Sequence, residues 1–192
     1  YDNIDICILV REAIGCGYPA VMLALGMQMH MALRGLKAYN THPGYTVHSN
    51  GIIAGCTQST YYAKVYLGKI MDHYYLRWCH EQMIHERHLR GFIDDIRISV
   101  RAKGDTNVST LLSHMGGQIG TALKGLKCKI SPKTTILGTN DKIVTSTQKS
   151  LWSQGIEANI GTFGKDLGVA TNLAQRRIVA ISKGRFAKAQ DR

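Results

Sequence analysis

The sequence predicts a mixed α+β domain, and three observations lead to that prediction. Hydrophobic residues make up 44% of the 192 residues, which is enough to bury a sizeable core and argues against intrinsic disorder. In several stretches apolar residues recur at three- and four-residue steps, as in helices, whereas shorter stretches bounded by Gly, Pro and Asn indicate strands. Helices mixed with antiparallel strand pairs are typical of the α+β class.

In the first half of the chain the pattern predicts three helices and a hairpin. Asp5 is placed to cap a short helix over 5–15, which a glycine-rich stretch closes. A helix rich in Met and Leu follows over 18–36, with its Met residues expected in the core. Residues 40–53 contain the Gly, Pro and Asn of a hairpin, and residues 59–83 have the spacing of a long amphipathic helix.

The second half begins with a predicted strand-turn-strand over 90–100. Thr106 or Asn107 then caps a helix that ends near residue 126. The remaining predicted elements are short strands over 134–137 and 141–146 and a helix over 147–155.

The charge balance predicts a polyanionic partner. Lys and Arg number 24 against 13 Asp and Glu, which gives a net charge of +11. Such a surplus provides sequence-independent and salt-sensitive affinity for nucleic-acid phosphates. The last segment, 171–192, is a basic tail. Its expected phosphate-binding residues are Arg176, Arg177, Lys183, Arg185 and Lys188.

Several other classes of protein are excluded by composition. The longest apolar stretch, Val21 to Leu33, is interrupted by Gln28 and His30 and is shorter than the roughly 20 apolar residues of a membrane span, so we expect no membrane partner. Five Cys without a CxxC pair argue against a secreted disulfide framework. Because the first residue is Tyr rather than Met, we expect the chain to be a fragment.

The segment most informative about chemistry is Arg90 to Ser99, in which Asp94 and Asp95 lie between apolar, strand-forming flanks. On a continuous strand their side chains would point to opposite faces, but at the tip of a tight hairpin both can face one site. Neighbouring carboxylates repel each other, and a hard divalent cation compensates that repulsion. The alternative is a solvated turn that happens to contain two Asp.

Two sequence boxes resemble those of reverse transcriptases. Phe92-Ile93-Asp94-Asp95 resembles the aromatic-x-Asp-Asp box of that family. Upstream, GIIAGCTQST over 51–60 resembles the segment G-v-P-Q-G-x-x-x-S-P, with Gly51, Gly55 and Ser59 in register and a helix expected next.

Two further boxes follow in the family's order. GLKCKISPKT over 125–134 resembles the stretch whose Lys approaches the incoming triphosphate, which here is Lys133. DLGV over 166–169 is similar to the box of the primer-gripping hairpin. The resemblance therefore covers roughly residues 1–170, and it divides the chain into a palm domain over 1–170 and the tail over 171–192.

The start of the chain also fits this register, with departures. Tyr1-Asp2-Asn3-Ile4 matches the end of the family's first catalytic segment, so Tyr1 would be the steric gate that excludes 2′-hydroxyls. The first catalytic Asp of the family would then lie before residue 1. Ile53-Ala54 replaces the family's Pro-Gln and Thr60 its following Pro, which puts efficient polymerase activity in doubt.

The resemblance implies a palm-like antiparallel sheet packed on helices, with incomplete fingers and thumb. It implies a fragment of an RNA-directed DNA polymerase from a retroelement, which is inactive in isolation. Its partners would be an RNA template, a DNA primer and deoxynucleoside triphosphates, with two Mg²⁺ ions, or Mn²⁺, as cofactors. The implied roles are metal binding and catalysis for Asp94 and Asp95, and nucleotide binding for Tyr1, Gly55, Ser59 and Lys133.

Two alternatives stay open on the sequence. A domesticated, non-catalytic reverse-transcriptase-like domain could bind RNA or act as a structural subunit of a ribonucleoprotein. The missing first Asp, the Ile53-Ala54 replacement and the charge of +11 favour it, whereas Asp94, Asp95 and Tyr1 favour the enzyme. An unrelated basic globular protein in which the boxes occur by chance is the other alternative.

Overall fold

A computed structural model describes most of the chain. The described residues are 3–35, 44–46, 50–53, 55–80, 86–92, 95–161, 164–166 and 169–171.

The chain divides into two compact units. The first comprises Tyr1–Ser99 and Thr121–Lys129, and the second comprises Val100–Gly120 and Ile130–Arg192. Apart from its first residue, the predicted basic tail lies outside the described residues.

The described part of the chain contains five helices and eight short strands. The helices are α1 (Ile6–Gly15), α2 (Ala20–Met31), α3 (Thr57–His80), α4 (Asp105–Gly125) and α5 (Asp141–Ser153). The strands are β1 (Arg34–Gly35), β2 (Tyr45–Thr46), β3 (Glu86–Phe92), β4 (Asp95–Arg101), β5 (Thr135–Ile136), β6 (Asn159–Ile160), β7 (Gly164–Asp166) and β8 (Val169–Thr171).

The strands form four two-stranded sheets. β1 pairs with β2 and β7 with β8 in antiparallel fashion, whereas β5 and β6 are parallel. β3 pairs with β4, and because so few residues separate these consecutive strands, only antiparallel pairing is open to them. The predicted mixture of helices and antiparallel strand pairs is confirmed at the level of the α+β class.

The first unit is built around the packing of α1 on α3. Asp5 caps α1 as predicted, since its Oδ1 accepts a hydrogen bond from the N–H of Ile8 at 3.0 Å. Leu9 of α1 and the rings of Tyr62 and Tyr66 of α3 are almost fully buried in one shared core. This core fixes α3, which carries the candidate site.

In the second unit, glycines of α4 lie against side chains of α5 and of the segment that follows it. A Cβ atom at Gly116 would lie 3.1 Å from Cδ2 of Leu151, and one at Gly120 would meet the side chain of Ile156. Leu151 and Ile156 belong to the buried cluster of this unit. The glycines of α4 therefore make room for the side chains that form the second core.

The strand predicted over 141–146 is wrong, because these residues form the first half of α5. Asn140 caps the helix by accepting from the N–H of Ile143 at 3.0 Å. Ile143, Val144 and Thr147 are buried on one helical face. The β-branched side chains here, which favoured a strand, serve as the core face of a helix.

The other predicted helices and the strands over 90–100 and 134–137 are present with shifted ends, whereas most of the hairpin predicted over 40–53 lies outside the described residues. Of the Met residues expected in the core of α2, Met27 is buried, but Met22, Met29 and Met31 are exposed, so that expectation is wrong for these three. α2 ends at Met31 rather than near 36, since β1 follows at Arg34. β1 lies before the predicted hairpin region of 40–53, which contributes β2. α4 begins at Asp105, so neither Thr106 nor Asn107 is its N-cap.

Candidate functional site

The hairpin of β3 and β4 presents one face to α3 and the other to solvent. Along β3, Arg87 and Leu89 are buried, while His88 and Arg90 between and after them are exposed. Gly91 of β3 and Ile96 of β4 line a small cavity of about 150 Å³ together with α3 residues. The opposite face of β4, which begins with Asp95, is therefore the face directed away from α3.

Gly91 lies against Met71 of α3. A Cβ atom at this position would lie 2.8 Å from Cε of Met71, the free end of a flexible side chain. This contact was missed by the sequence analysis, which treated Gly91 only as part of the strand.

The predicted metal ligands are described in part. Asp95 is the first residue of β4 and is exposed, so its carboxylate is accessible. Asp94 lies outside the described residues, as does Tyr1, and the predicted proximity of Tyr1 to the hairpin stays a prediction. Among the residues that the structure describes, no three His, Cys, Asp or Glu side chains are grouped as metal ligands.

The loop before α3, residues 51–56, is fixed by hydrogen bonds from three sides. The N–H of Gly51 donates to the carbonyl oxygen of Ile4 at 2.8 Å. The N–H of Ile53 donates to Nδ1 of His30 at 2.9 Å. The Oγ of Ser59 donates to the carbonyl oxygen of Ile53 at 2.5 Å. The loop is thus hydrogen-bonded to Ile4, just before the N-cap of α1, and to side chains of α2 and α3.

Among the residues of this loop that the structure describes, Gly55 is the exposed one. Its φ of +85° is a conformation that side chains disfavour, and a Cβ atom there would meet no atom within 4 Å. The open backbone at this position agrees with the predicted role of admitting a nucleotide, which stays a prediction.

Ser59 is placed differently from what its predicted role suggests. Its side chain is 1% exposed, and its hydroxyl is occupied by the carbonyl oxygen of Ile53. The contact that the structure shows is one that holds the loop. A contribution of Ser59 to nucleotide binding would therefore act through the shape of the loop.

Tyr62 contacts two residues next to the loop, Gln58 and His30. Its hydroxyl donates to Oε1 of Gln58 at 2.8 Å, and its ring packs edge-on against His30. Burial, followed by the neighbouring Tyr18 and Cys56, raises the pKa of Tyr62 to about 12, so its hydroxyl stays protonated at physiological pH.

Lys133 belongs to the second unit, whereas Asp95, Gly55 and Ser59 belong to the first. It is exposed in a turn before β5, where its N–H donates to Oγ of Ser131 at 3.2 Å. The predicted phosphate-binding residues of the tail lie outside the described residues. They are Arg176, Arg177, Lys183, Arg185 and Lys188.

The sequence analysis missed the role of His30. Its position could have been noticed, because it falls at helical spacing after Leu23 and Met27 on the buried face of an apolar helix. Its partner, Ile53, is far away in the sequence, and no local pattern indicates that pairing.

Comparison with known proteins gives no relative: no family model matches the chain, and no curated protein or solved structure is significantly similar to it. Within the described ranges, none of the helices has the length and apolar character needed to cross a bilayer.

Proposed function

We propose that the chain is the palm part of a reverse-transcriptase-like polymerase, which transfers nucleotides with Asp94 and Asp95 as metal ligands. One observation carries this proposal. The helix in which the Gly51–Ser59 box ends, α3, packs against the hairpin whose second strand begins with Asp95. Two boxes that are distant in sequence thus belong to one packed substructure, as a palm requires.

The packing has a specific form that supports the proposal. Ala63, one turn after Ser59, lines the same cavity as Gly91 and Ile96 of the hairpin. Ile96 is the residue next to Asp95. The first half of α3 therefore holds the glycine loop through Ser59 and lies against the strand that begins with Asp95 through Ala63.

Of the two residues that would hold the implied magnesium ions, the structure describes Asp95. Carboxylate oxygens are the ligands that Mg²⁺ prefers, and the Asp95 carboxylate is accessible to solvent. When bound, the ions would activate a primer 3′-hydroxyl and stabilise the leaving pyrophosphate. The chain's own contribution would be to hold the ions at Asp94 and Asp95 and to leave open backbone at Gly55 for the nucleotide.

The other partners follow from the same proposal. An RNA template and a DNA primer would be bound through phosphates by the basic tail, whose charge makes binding independent of sequence. Lys133 would place its charge near the triphosphate of a deoxynucleotide, and Tyr1 would act as the steric gate.

Binding of Mn²⁺, which takes the same oxygen ligands as Mg²⁺, tests the metal site. Free Mn²⁺ is followed by electron paramagnetic resonance during a titration of the chain and of its D94N/D95N variant. The expected result is at least a tenfold loss of affinity in the variant. A matched variant, D72N/D141N, removes two exposed carboxylates elsewhere and should bind as the parent does. Equal affinity in all three proteins would overturn the proposal.

A non-catalytic RNA-binding subunit is the second candidate, and the environment of Ile53 favours it. Both polar groups of its backbone are used inside the protein, by His30 and by Ser59. Ala54 stands where the family has the Gln that contacts the incoming nucleotide. Salt-sensitive RNA binding together with no Mn²⁺-dependent binding of a deoxynucleoside triphosphate would select this candidate.

A further inference from the structure

His30 of α2 makes a hydrogen bond that depends on its protonation state. Its Nδ1 accepts from the N–H of Ile53 at 2.9 Å, and the side chain is 1% exposed. An imidazole nitrogen accepts a hydrogen bond only when it carries no proton. The geometry therefore requires a neutral His30 with its proton on Nε2.

Ile53 is the residue on which the loop depends. Its N–H is bound by His30, while its carbonyl oxygen accepts from Oγ of Ser59 and from the N–H of Cys56, the latter at 3.3 Å. The exposed Gly55 lies two residues further on. We therefore expect a change at Ile53 to affect the backbone at Gly55.

We propose that His30 is a positioning residue for the loop of residues 51–56. Neutral His30 holds Ile53 in the conformation that presents Gly55 outward. Protonation of Nδ1 removes the acceptor, and Ile53 is left with a part-buried N–H without this bond. The nucleotide-binding part of this inference rests on the proposed function, whereas the effect on the loop does not.

Among the residues that the structure describes, Tyr62 of α3 packs its ring edge-on against His30, with 5.5 Å between the ring centroids. The raised pKa of Tyr62, about 12, keeps its hydroxyl neutral. Tyr18 packs in turn against Tyr62, with 5.7 Å between the two ring centroids.

Two substitutions separate the acceptor from the imidazole. In H30N the amide Oδ1 takes the position of Nδ1 and accepts at every pH, whereas H30L fills the space without an acceptor. H114N, at an exposed His of α4, is the matched control. Far-ultraviolet circular dichroism of each variant verifies that the helices are formed.

The primary measurement is hydrogen exchange of the Ile53 amide by nuclear magnetic resonance at pH 7.5. In H30L, protection relative to the intrinsic exchange rate should be about tenfold or more below that of the parent and of H114N. H30N, which keeps an acceptor, should be protected as the parent is. Binding of Mn²⁺–deoxynucleoside triphosphate should follow the same order.

The outcomes distinguish this inference from the proposed function. If Ile53 protection is the same in all four proteins, His30 does not position the loop and the inference is overturned, even where the nucleotide binds. If protection follows His30 but the parent binds no nucleotide, the positioning role stands and the proposed function fails. Should H30L not fold, H30M, whose unbranched side chain also lacks a nitrogen acceptor, takes its place in the comparison.

Discussion

The Nζ of Lys127 lies 2.7 Å from Oδ2 of Asp5, which joins the end of α4 to the N-cap of α1. The ion pair, with the N-cap bond to Ile8, holds the pKa of Asp5 below its ordinary value and raises that of Lys127. Lys127 has a φ of +58°, in the region where helices usually end on Gly. The residue that forms the ion pair with Asp5 therefore has a strained backbone.

We expect Asp5 to make the free energy of unfolding depend on pH in the acid range. Because the pKa of Asp5 is lower in the folded state, its contribution to the free energy of unfolding is complete above the pKa of the unfolded state. That contribution is lost as the pH falls through the pKa of the folded state, that is, below about pH 4. D5A should lose about 1 kcal/mol of unfolding free energy at neutral pH through the lost cap. D5N keeps the cap acceptor, so it should lose less and should lack the parent's acid dependence in this range.

Urea unfolding at pH 7 and pH 3, followed by tryptophan fluorescence, measures this change in the free energy of unfolding with pH. The chain has two Trp, of which Trp78 lies in the first unit and Trp152 in the second. A W152F background therefore reports on the unit that contains Asp5. If the free energy of unfolding changed equally between pH 7 and pH 3 in the parent and in D5N, the prediction would be contradicted.

Two helical glycines of the first unit should respond to Ala in opposite directions. A Cβ atom at Gly26 would meet the Tyr62 hydroxyl and would lie 2.5 Å from Oε1 of Gln58, so G26A should cost about 1–3 kcal/mol. At Gly68 a Cβ atom would meet nothing within 4 Å, so G68A should stabilise α3 by about 0.5–1 kcal/mol. The same unfolding experiment compares them, and equal effects would show that the packing around Tyr62 is not as described.

Residues 1–192 alone should not extend a primer. The resemblance places one carboxylate of the two-metal site before Tyr1, and two-metal transfer needs it. An oligo-dT primer on poly-rA, with Mg²⁺ or Mn²⁺, provides the assay. Robust metal-dependent extension would show that the alignment of the boxes with the chain is wrong.

The basic tail should determine the salt dependence of nucleic-acid binding. Changing Arg176, Arg177 and Lys183 to Gln should flatten the slope of log K against log salt by about two to three units, because each phosphate contact contributes about 0.7–0.9. All sequences should be weakened alike, as filter binding from low to physiological salt would show.

A charge-matched variant controls for net charge. Three exposed lysines of the second unit, Lys103, Lys142 and Lys149, are changed to Gln in it. Its slope should remain close to that of the parent. An equal flattening in both variants would mean that overall charge, rather than the tail, governs binding.

The elements that sequence analysis located well are those specified by neighbouring residues. α1 was found because Asp5 and the apolar spacing after it are local signals. The first half of α5 was misread because Ile143 and Val144 have high strand propensity, while the deciding features are the Asn140 cap and the helical spacing of the buried side chains.

For the candidate site, the sequence indicated the loop and the hairpin but not what holds them. Gly55 and Ser59 were selected by their register, yet the bond from Ser59 to Ile53 depends on how the chain turns before α3. The bond from the N–H of Ile53 to His30 joins the loop to a separate element. Such pairings arise from tertiary packing, which one sequence without relatives does not display.

The first unit is made of two pieces of chain with residues 100–120 between them. Its core includes Leu126, whose carbonyl oxygen accepts from the Tyr66 hydroxyl, and both belong to this unit although they lie on different pieces. A polypeptide that ended at Ser99 would keep Tyr66 and lose its partner, leaving a gap in the core. A continuous polypeptide that contains the whole of the first unit therefore also contains the segment that interrupts it.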